Sequence, residues 1–397
     1  MKKLILLSVV LVVLAGCLGP EPEQGPVSAE FSPLLPVSWE QVQGWSYDQP
    51  AAAFGAFLKS CRAVGKRAQW QQVCAEAARL DPVTDAEART YFETYFQPYQ
   101  VQNEDGSSAG LITGYYGPEL AGSRVPTEEY RYPIYRQPDD LLTIDLSAVY
   151  PELGRYRLRG RIEGNRVVPY FDRDEIDNGV NPLAGQELFW VKDPVDLFFL
   201  HIQGSGRIRL PDGERVMVNY ANQNGYPYRS IGRLLLDRGE MTSDQMSMQN
   251  IRRWVAENPA AGKELLAENP SYVFFRELPD SYQYPPGALG VSLTPLRSLA
   301  VDPHVIPLGA PVFLATTFPG TDYPLQQLMV AQDTGGAISG QVRADFFWGM
   351  GDDAGKVAGQ MKQQGQLWVL LPKEAPQTEP LQSRTESSSQ HRETASE

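Results

Sequence analysis

Histidine and cysteine are both scarce in this chain, three of each in 397 residues. His201, His304 and His391 are scattered, and neither H-E-x-x-H nor C-x-x-C occurs, so no metal and no cofactor is called for. Gln203-Gly204-Ser205-Gly206 is Gly-rich, but no Walker lysine follows it, and Ser205 lacks a His/Asp pair for nucleophilic work. Positive charge is in deficit: 35 Lys and Arg stand against 48 Asp and Glu, a net −13. That balance argues against nucleic acid, and any anionic polymer must be held by local shape and hydrogen bonds. Long apolar runs are missing too. Leu4 to Leu14 is too short to span a bilayer, and no later stretch is longer.

Lys2 and Lys3 followed by Leu4 to Leu14 form the n- and h-regions of a signal peptide. Leu14-Ala15-Gly16-Cys17 then resembles the bacterial lipobox. The resemblance implies cleavage after residue 16 and a lipid on Cys17, the alternative being an ordinary signal with a chance Cys. Leu18 is not Asp, which by resemblance to enterobacterial sorting rules favours the outer membrane, on its periplasmic face. Residues 17–36 read as anchor and extended linker, rich in Pro, Glu and Gly. At ~3.1 Å per residue such a linker reaches at most ~60 Å. Residues 373–397 read as a disordered tail. With Cys17 lipidated, Cys61 and Cys74 remain for an oxidising compartment, as a disulfide or as two buried thiols.

The body alternates in character. Gln49 to Leu80 is helical by period, with Phe54, Phe57, Leu58 and Cys61 and then Trp70, Val73, Cys74 and Ala77 three and four apart. Asp85 is the expected N-cap of a further helix. From Gly110 short strand-like runs follow: Leu111 to Thr113, Tyr115-Tyr116, Tyr156 to Arg161, Phe189 to Lys192, Leu197 to His201, Arg207 to Leu210 and Arg215 to Tyr220. Ser230 to Arg238 and Ser243 to Asn258 return to a helical period. After Pro285 the pattern is β again at Leu293, Leu299 to Val301, Val312 to Leu314, Leu328 to Ala331 and Leu367 to Leu371, with a short helix at Asp353 to Gln363.

The densest chemistry lies near the C-terminus. Asp302 precedes Pro303, Asp333 precedes Thr334-Gly335-Gly336, and Asp345 precedes Phe346-Phe347-Trp348. The glycine pair permits positive φ and close backbone approach to a ligand. A carboxyl among aromatics is desolvated, which raises its pKa and suits Asp345 to general-acid work. Each Asp also reads as a turn former or backbone cap, and for Asp302 that reading leads. Gln203 and Ser205 are either a tight turn or sugar-binding groups. Tyr115 and Tyr116 are either core or a stacking platform for sugars.

Asp302-Pro303, Pro307-Leu308-Gly309, Asp333-Thr334-Gly335-Gly336-Ala337-Ile338 and Asp345-Phe346 together resemble the 3D module, named for its three aspartates. Upstream, Thr113-Gly114-Tyr115-Tyr116-Gly117-Pro118, Phe198 to Gly206, Ser230-Ile231-Gly232-Arg233 and Thr294 to Ala300 resemble the membrane-bound lytic murein transglycosylase A (MltA) family. The likeness runs in order over about residues 50–372; Gly117 stands where the family often carries Glu.

The resemblance implies a mainly β chain with α: a double-psi β-barrel, similar to barwin-like endoglucanases, with N-terminal helices, a smaller inserted β-barrel and a groove between them. Residues 37–118 and 236–372 are expected to form the discontinuous larger domain, with the 3D module at about 290–372, and 119–235 the insert. It further implies cleavage of the β-1,4 bond between N-acetylmuramic acid and N-acetylglucosamine in peptidoglycan glycan strands, leaving 1,6-anhydro ends. Asp345 would be the catalytic acid and then base, with Asp333 beside it, and Thr113, Tyr115, Tyr116, Gln203, Ser205 and Asp302 would line the groove. A hydrolytic glycosidase using Asp333 and Asp345, and a silent wall-binding lipoprotein, are the alternatives. Murein synthases and division proteins are candidate partners that the chain does not distinguish.

Overall fold

The N-terminal third is held by aromatic side chains on helices. The computed structural model describes residues 32–373, apart from 81–82, 180–181, 244 and 336–337. Cys17, the signal segment, most of the linker and the tail after Lys373 lie outside the described residues. The described chain opens with β1 (Leu34–Pro36), then α1 (Ala51–Val64), α2 (Ala68–Ala77), α3 (Asp85–Tyr95), β2 (Phe96–Val101) and β3 (Gly110–Gly117). β1 pairs with β2, so residues 34–36 belong to a sheet and the expected linker is shorter by three. Phe54 and Phe57 on α1 meet Phe92 on α3, and Phe57 also meets Trp70 on α2 and Phe96. All five are fully buried, each worth roughly 2–3 kcal/mol of transfer free energy. Cys61 and Cys74 are bonded, tying α1 to α2. The cap of α3 is Thr84, not Asp85: Thr84 and Glu87 form a capping box, while Asp85 accepts the Ala51 N–H at 3.0 Å.

The middle of the chain contributes β4 (Glu119–Ser123), β5 (Tyr132–Tyr135), β6 (Leu142–Thr143), β7 (Arg159–Glu163), β8 (Arg166–Pro169), α4 (Arg173–Asn178), β9 (Glu187–Val191), α5 (Pro194–Gln203), β10 (Ser205–Arg209), β11 (Arg215–Gln223), α6 (Ile231–Asp237), α7 (Met248–Glu257), α8 (Pro259–Ala267) and β12 (Val273–Glu277). One sheet runs β12-β11-β10-β4-β9-β5, and a parallel bridge from Arg136 to Phe275 brings its two ends together. β6, β7 and β8 make a small separate ribbon. The expected strand at Leu197 to His201 is instead α5. Asp193 caps it, Pro194 opens it and Gly204, at φ 73°, ends it. The run is apolar all round because the helix is buried on several sides.

The last part supplies β13 (Ser298–Val301), β14 (Pro311–Thr317), β15 (Pro324–Asp333), β16 (Arg343–Met350), α9 (Asp352–Ala358) and β17 (Lys362–Pro372). Leu293, expected in a strand, lies outside these. The strands join β3 in a ring: β17-β14-β15-β13-β16-β3, with β3 pairing back onto β17. Closure removes the free edges. β13 with β15 and β16 with β3 are parallel pairs, and the other pairs are antiparallel.

The sheets hand over at Pro118, between β3 and β4. The return is not at 236. α6, α7 and α8 share a core with α5, where Val195 and Phe198 meet Leu235, Ile251 and Leu265, and β12 pairs with β11. The second sheet and its helices therefore run from Glu119 to Glu277.

Candidate active site

β3 and β16 lie side by side in parallel, with Asp345 opposite Thr113 and Phe347 opposite Tyr115. Alternation along a strand puts these four side chains on one face and Gly114, Tyr116, Phe346 and Trp348 on the other. Gly114 has no room for a Cβ, which would sit 2.8 Å from both Trp348 Nε1 and the Ala358 backbone. The two strands can therefore come together with α9 behind them.

On the first face, the Thr113 hydroxyl donates to Asp345 Oδ1 and the Arg343 guanidinium donates to the same oxygen. Arg343 also donates to Thr113 Oγ1 at 2.9 Å and to the Ala344 carbonyl at 2.8 Å. Both Arg343 and Asp345 are mostly covered, their side chains 16 and 18% exposed. Among the described residues no hydrogen bond reaches Asp345 Oδ2.

Asp333 ends β15. Its Oδ1 accepts the N–H groups of Ala288 and Thr334, each at 2.9 Å, and its Oδ2 accepts the Tyr115 hydroxyl at 3.2 Å. Burial pushes the carboxyl up to about 6 against these three donors, and the charge of Asp345 adds to the rise. The Tyr115 phenol is pushed well above its usual range by burial and by Asp333, and its ring lies 5.1 Å from Phe347. A buried network sets the strand that carries Asp333: Gln332 donates to the Ala56 carbonyl at 2.8 Å and to Ser60 Oγ at 2.9 Å, and accepts from Ser298 at 2.6 Å.

The chain matches the MltA specific insert domain over residues 111–276 and the 3D domain over residues 297–371. It is 35% identical over 280 residues to the membrane-bound lytic murein transglycosylase A of Escherichia coli K12, covering 68% of each chain. The chain belongs to this family. Among solved structures it is similar to MltA of Neisseria gonorrhoeae, with 40% identity, a TM-score of 0.76 and coverage of 86% of this chain and 93% of that one. It is also similar to E. coli MltA solved with bound chitohexaose, at 29% identity and a TM-score of 0.65, covering 86% and 95%.

Not every residue expected at the site of this family member is there. Tyr116 points behind the sheet: it is 7% exposed, its hydroxyl meets Met248 Sδ at 3.2 Å and its ring fills the space over Gly355. Asp302 braces a turn, its carboxylate accepting the N–H groups of His304 and Gly340, each at 3.0 Å. Although burial raises its pKa, the N–H groups of Gly340 and His304 outweigh that and leave it lowered. Gln203 Oε1 accepts the Tyr116 N–H at 3.2 Å, tying the end of α5 to β3, and Ser205 is buried beside it. Of the three aromatics that follow Asp345, only Phe347 shares its face; Phe346 packs on Trp348 at 4.6 Å on the far face, and the carboxyl itself meets Arg343 and Thr113. Gly335 is not at positive φ; a Cβ there would sit 2.8 Å from Ile338, and Gly336 and Ala337 lie outside the described residues. A Cβ on Gly117 would sit 2.2 Å from Met350 Sδ, so a larger residue there requires the flexible end of Met350 to turn aside.

Arg343 was missed by sequence reasoning. The signal was its spacing: two residues before Asp345 on a strand places both on one face. Arg297, by contrast, donates to the Leu328 carbonyl at 2.9 Å and lies 3.9 Å from Asp48, away from the three groups of the site.

Proposed function

We propose that Asp345 is the single acid and then base of a lytic cleavage, with Asp333 as its supporting neighbour. The chain is a peptidoglycan lytic transglycosylase, an enzyme of the murein transglycosylase A family. Its substrate is the glycan strand of peptidoglycan; the E. coli relative binds chitohexaose, a linear hexasaccharide of the same backbone linkage.

The observation that carries the assignment is the difference between the two carboxyls. Asp333 has both oxygens occupied by three donors, whereas among the described residues nothing donates to Asp345 Oδ2. Only Asp345 is free to hand a proton to a sugar. Asp345 protonates the glycosidic oxygen, the C1–O bond breaks with its electron pair going to that oxygen, and an oxocarbenium-like centre forms at C1. The C6 hydroxyl of the same sugar attacks C1 and gives its proton to the Asp345 carboxylate, closing the 1,6-anhydro ring. The nucleophile is already tethered, so no second carboxylate is required as nucleophile or as base for water. The three donors that hold Asp333 in place favour this route over hydrolysis. Asp333 would supply negative charge near C1, and Thr113, Tyr115 and Gln203 would contact sugar. Tyr116, Asp302 and Ser205, which is as buried as Tyr116, leave that set.

The same reading takes the closed ring as a double-psi barrel of the 3D type and the second sheet as an inserted barrel, with the glycan in a groove between the two. Lipidation at Cys17 would hold the protein on the periplasmic face of the outer membrane and limit which layer of wall it touches.

The test is digestion of purified murein sacculi by the detergent-solubilised full chain, read by product mass. Anhydro ends without added water are expected, with a loss of at least ~10²–10⁴-fold in Asp345→Ala. Hydrated ends as the main product would overturn the lytic reading, and an active Asp345→Ala protein would overturn the site.

A further inference from the structure

Asp345 is held by a cation that nothing in the proton-transfer scheme above uses. Arg343 and Asp345 sit two apart on β16, and Thr113 faces them from β3. The Thr113 hydroxyl accepts from Arg343 Nη2 at 2.9 Å, so its single hydrogen is directed away from the guanidinium and onto Asp345 Oδ1. Arg343 Nη1 donates to that same oxygen. Oδ1 thus faces two donor hydrogens, and a third hydrogen on it would collide with both. The guanidinium itself is fixed by the Ala344 carbonyl, and the fork shape of arginine lets it serve Asp345 and Thr113 together.

From this geometry we infer that Arg343 is a positioning residue that makes Asp345 Oδ2 the one oxygen able to carry the catalytic proton. This rests on Asp345 being the acid. The protonated acid then presents its O–H from Oδ2 toward the open side, where the glycosidic oxygen lies. Once the proton has moved, the charge left on the carboxylate is matched by Arg343, and Oδ2 is again the open oxygen that takes the C6-hydroxyl proton. No proton passes through Arg343, and the guanidinium ends the cycle as it began. The other ionisable groups around this face are Tyr115 on β3, Asp333 on β15 and Lys362, which is opposite Thr113 on β17. Among the described residues no contact joins Lys362 to Asp345.

The experiment compares Arg343→Ala, Arg343→Lys and Asp345→Asn in the detergent-solubilised full chain, using sacculi, with folding checked by circular dichroism. Arg343→Ala is expected to lower kcat about 10–100-fold with KM little changed. Arg343→Lys keeps the charge but not the fork, so kcat falls there too. Lys362→Ala leaves kcat in place. No loss from Arg343→Ala, a loss carried by KM instead of kcat, or full rescue by Arg343→Lys would refute the role of Arg343. If Asp345→Asn stays fully active, the acid assignment itself fails; if it is silent while Arg343→Ala keeps the wild-type kcat, only the inference about Arg343 fails.

Discussion

The Tyr115 hydroxyl donates to Asp333 at 3.2 Å, and Thr113, two residues earlier on the same strand, donates to Asp345. One strand from the start of the barrel thus holds both carboxyls that arrive near its end. Removing the Tyr115 donor with Tyr115→Phe takes away a contact that favours the ionised form of Asp333. The Asp333 titration, at about 6 in the wild type, should move higher, while folding stability drops by about 1 kcal/mol. Carbon-13 NMR titration of labelled aspartate reads the first and urea unfolding the second; an unmoved or lowered midpoint would contradict the shared geometry.

Asp333 itself should make stability depend on pH in the direction opposite to a paired carboxylate. Its folded value of about 6 lies above the ordinary aspartate value of 3.8. Below about pH 4 the group is protonated in both states and contributes nothing. Between about 4 and 6 the unfolded chain gives up its proton first, so the folded state loses ground, and above 6 the loss is constant. The ceiling is about 3 kcal/mol, lower because the residue is only half-buried. Asp333→Asn should therefore gain on the wild type as pH rises through this window. Urea unfolding at pH 4, 5, 6 and 7 checks it; a gap that shrinks with rising pH would show that the hydrogen bonds outweigh burial.

Much of this architecture was legible because local periods were honest. α1 and α2 follow apolar spacings of three and four, and Cys61 and Cys74 fall where those helices meet. α5 was not legible, because Leu197-Phe198-Phe199-Leu200 buries almost every side and erases the period; Asp193-Pro194 and Gly204 were the better guide. Asp345, Asp333, Thr113 and Tyr115 were found through their motifs. Tyr116 was wrongly grouped with Tyr115, although a period of two separates neighbours on a strand. Arg343 was overlooked because the strand runs expected after Pro285 do not include residues 343–350, which form β16.

Breaking the Cys61–Cys74 bond should cost the N-terminal helices their tether. The two cysteines are 13 residues apart, and a loop of that length constrains the unfolded chain by roughly 3 kcal/mol. A Cys61→Ser/Cys74→Ser protein should melt lower by several degrees but keep its products, since neither sulfur belongs to the site. Differential scanning calorimetry with product mass tests both halves; a changed product would tie the tether to catalysis.

Leu296 is at φ 63°, the only non-glycine at positive φ among the described residues, and its side chain is 45% exposed. Its N–H donates to the Phe347 carbonyl at 2.8 Å, two residues along β16 from Asp345. A leucine there carries about 1 kcal/mol of strain that glycine lacks, and little packing offsets it. Leu296→Gly should leave stability unchanged or raise it by up to about 1 kcal/mol, with the gain trimmed by the extra freedom of unfolded glycine. A drop of more than 2 kcal/mol in urea would mean the leucine side chain is packed more tightly than its exposure indicates.

Gly110 opens β3 at the seam where the barrel closes, paired with Gly365 on β17. A Cβ on Gly110 would sit 1.8 Å from the Val342 carbonyl oxygen. The obstacle is backbone, so no rotamer change can relieve it, and β3 must move away from the start of β16. That displacement acts on the Arg343, Thr113 and Asp345 cluster one to three residues further along. Gly110→Ala should therefore cost about 3 kcal/mol or more and lower kcat as well, while Gly106→Ala, at φ 80° but with open space around it, affects stability through backbone strain alone. Thermal unfolding and sacculus turnover on the two variants separate closure of the barrel from strain in a loop. A Gly110→Ala protein with wild-type stability and turnover would mean that the seam can widen without disturbing the acid.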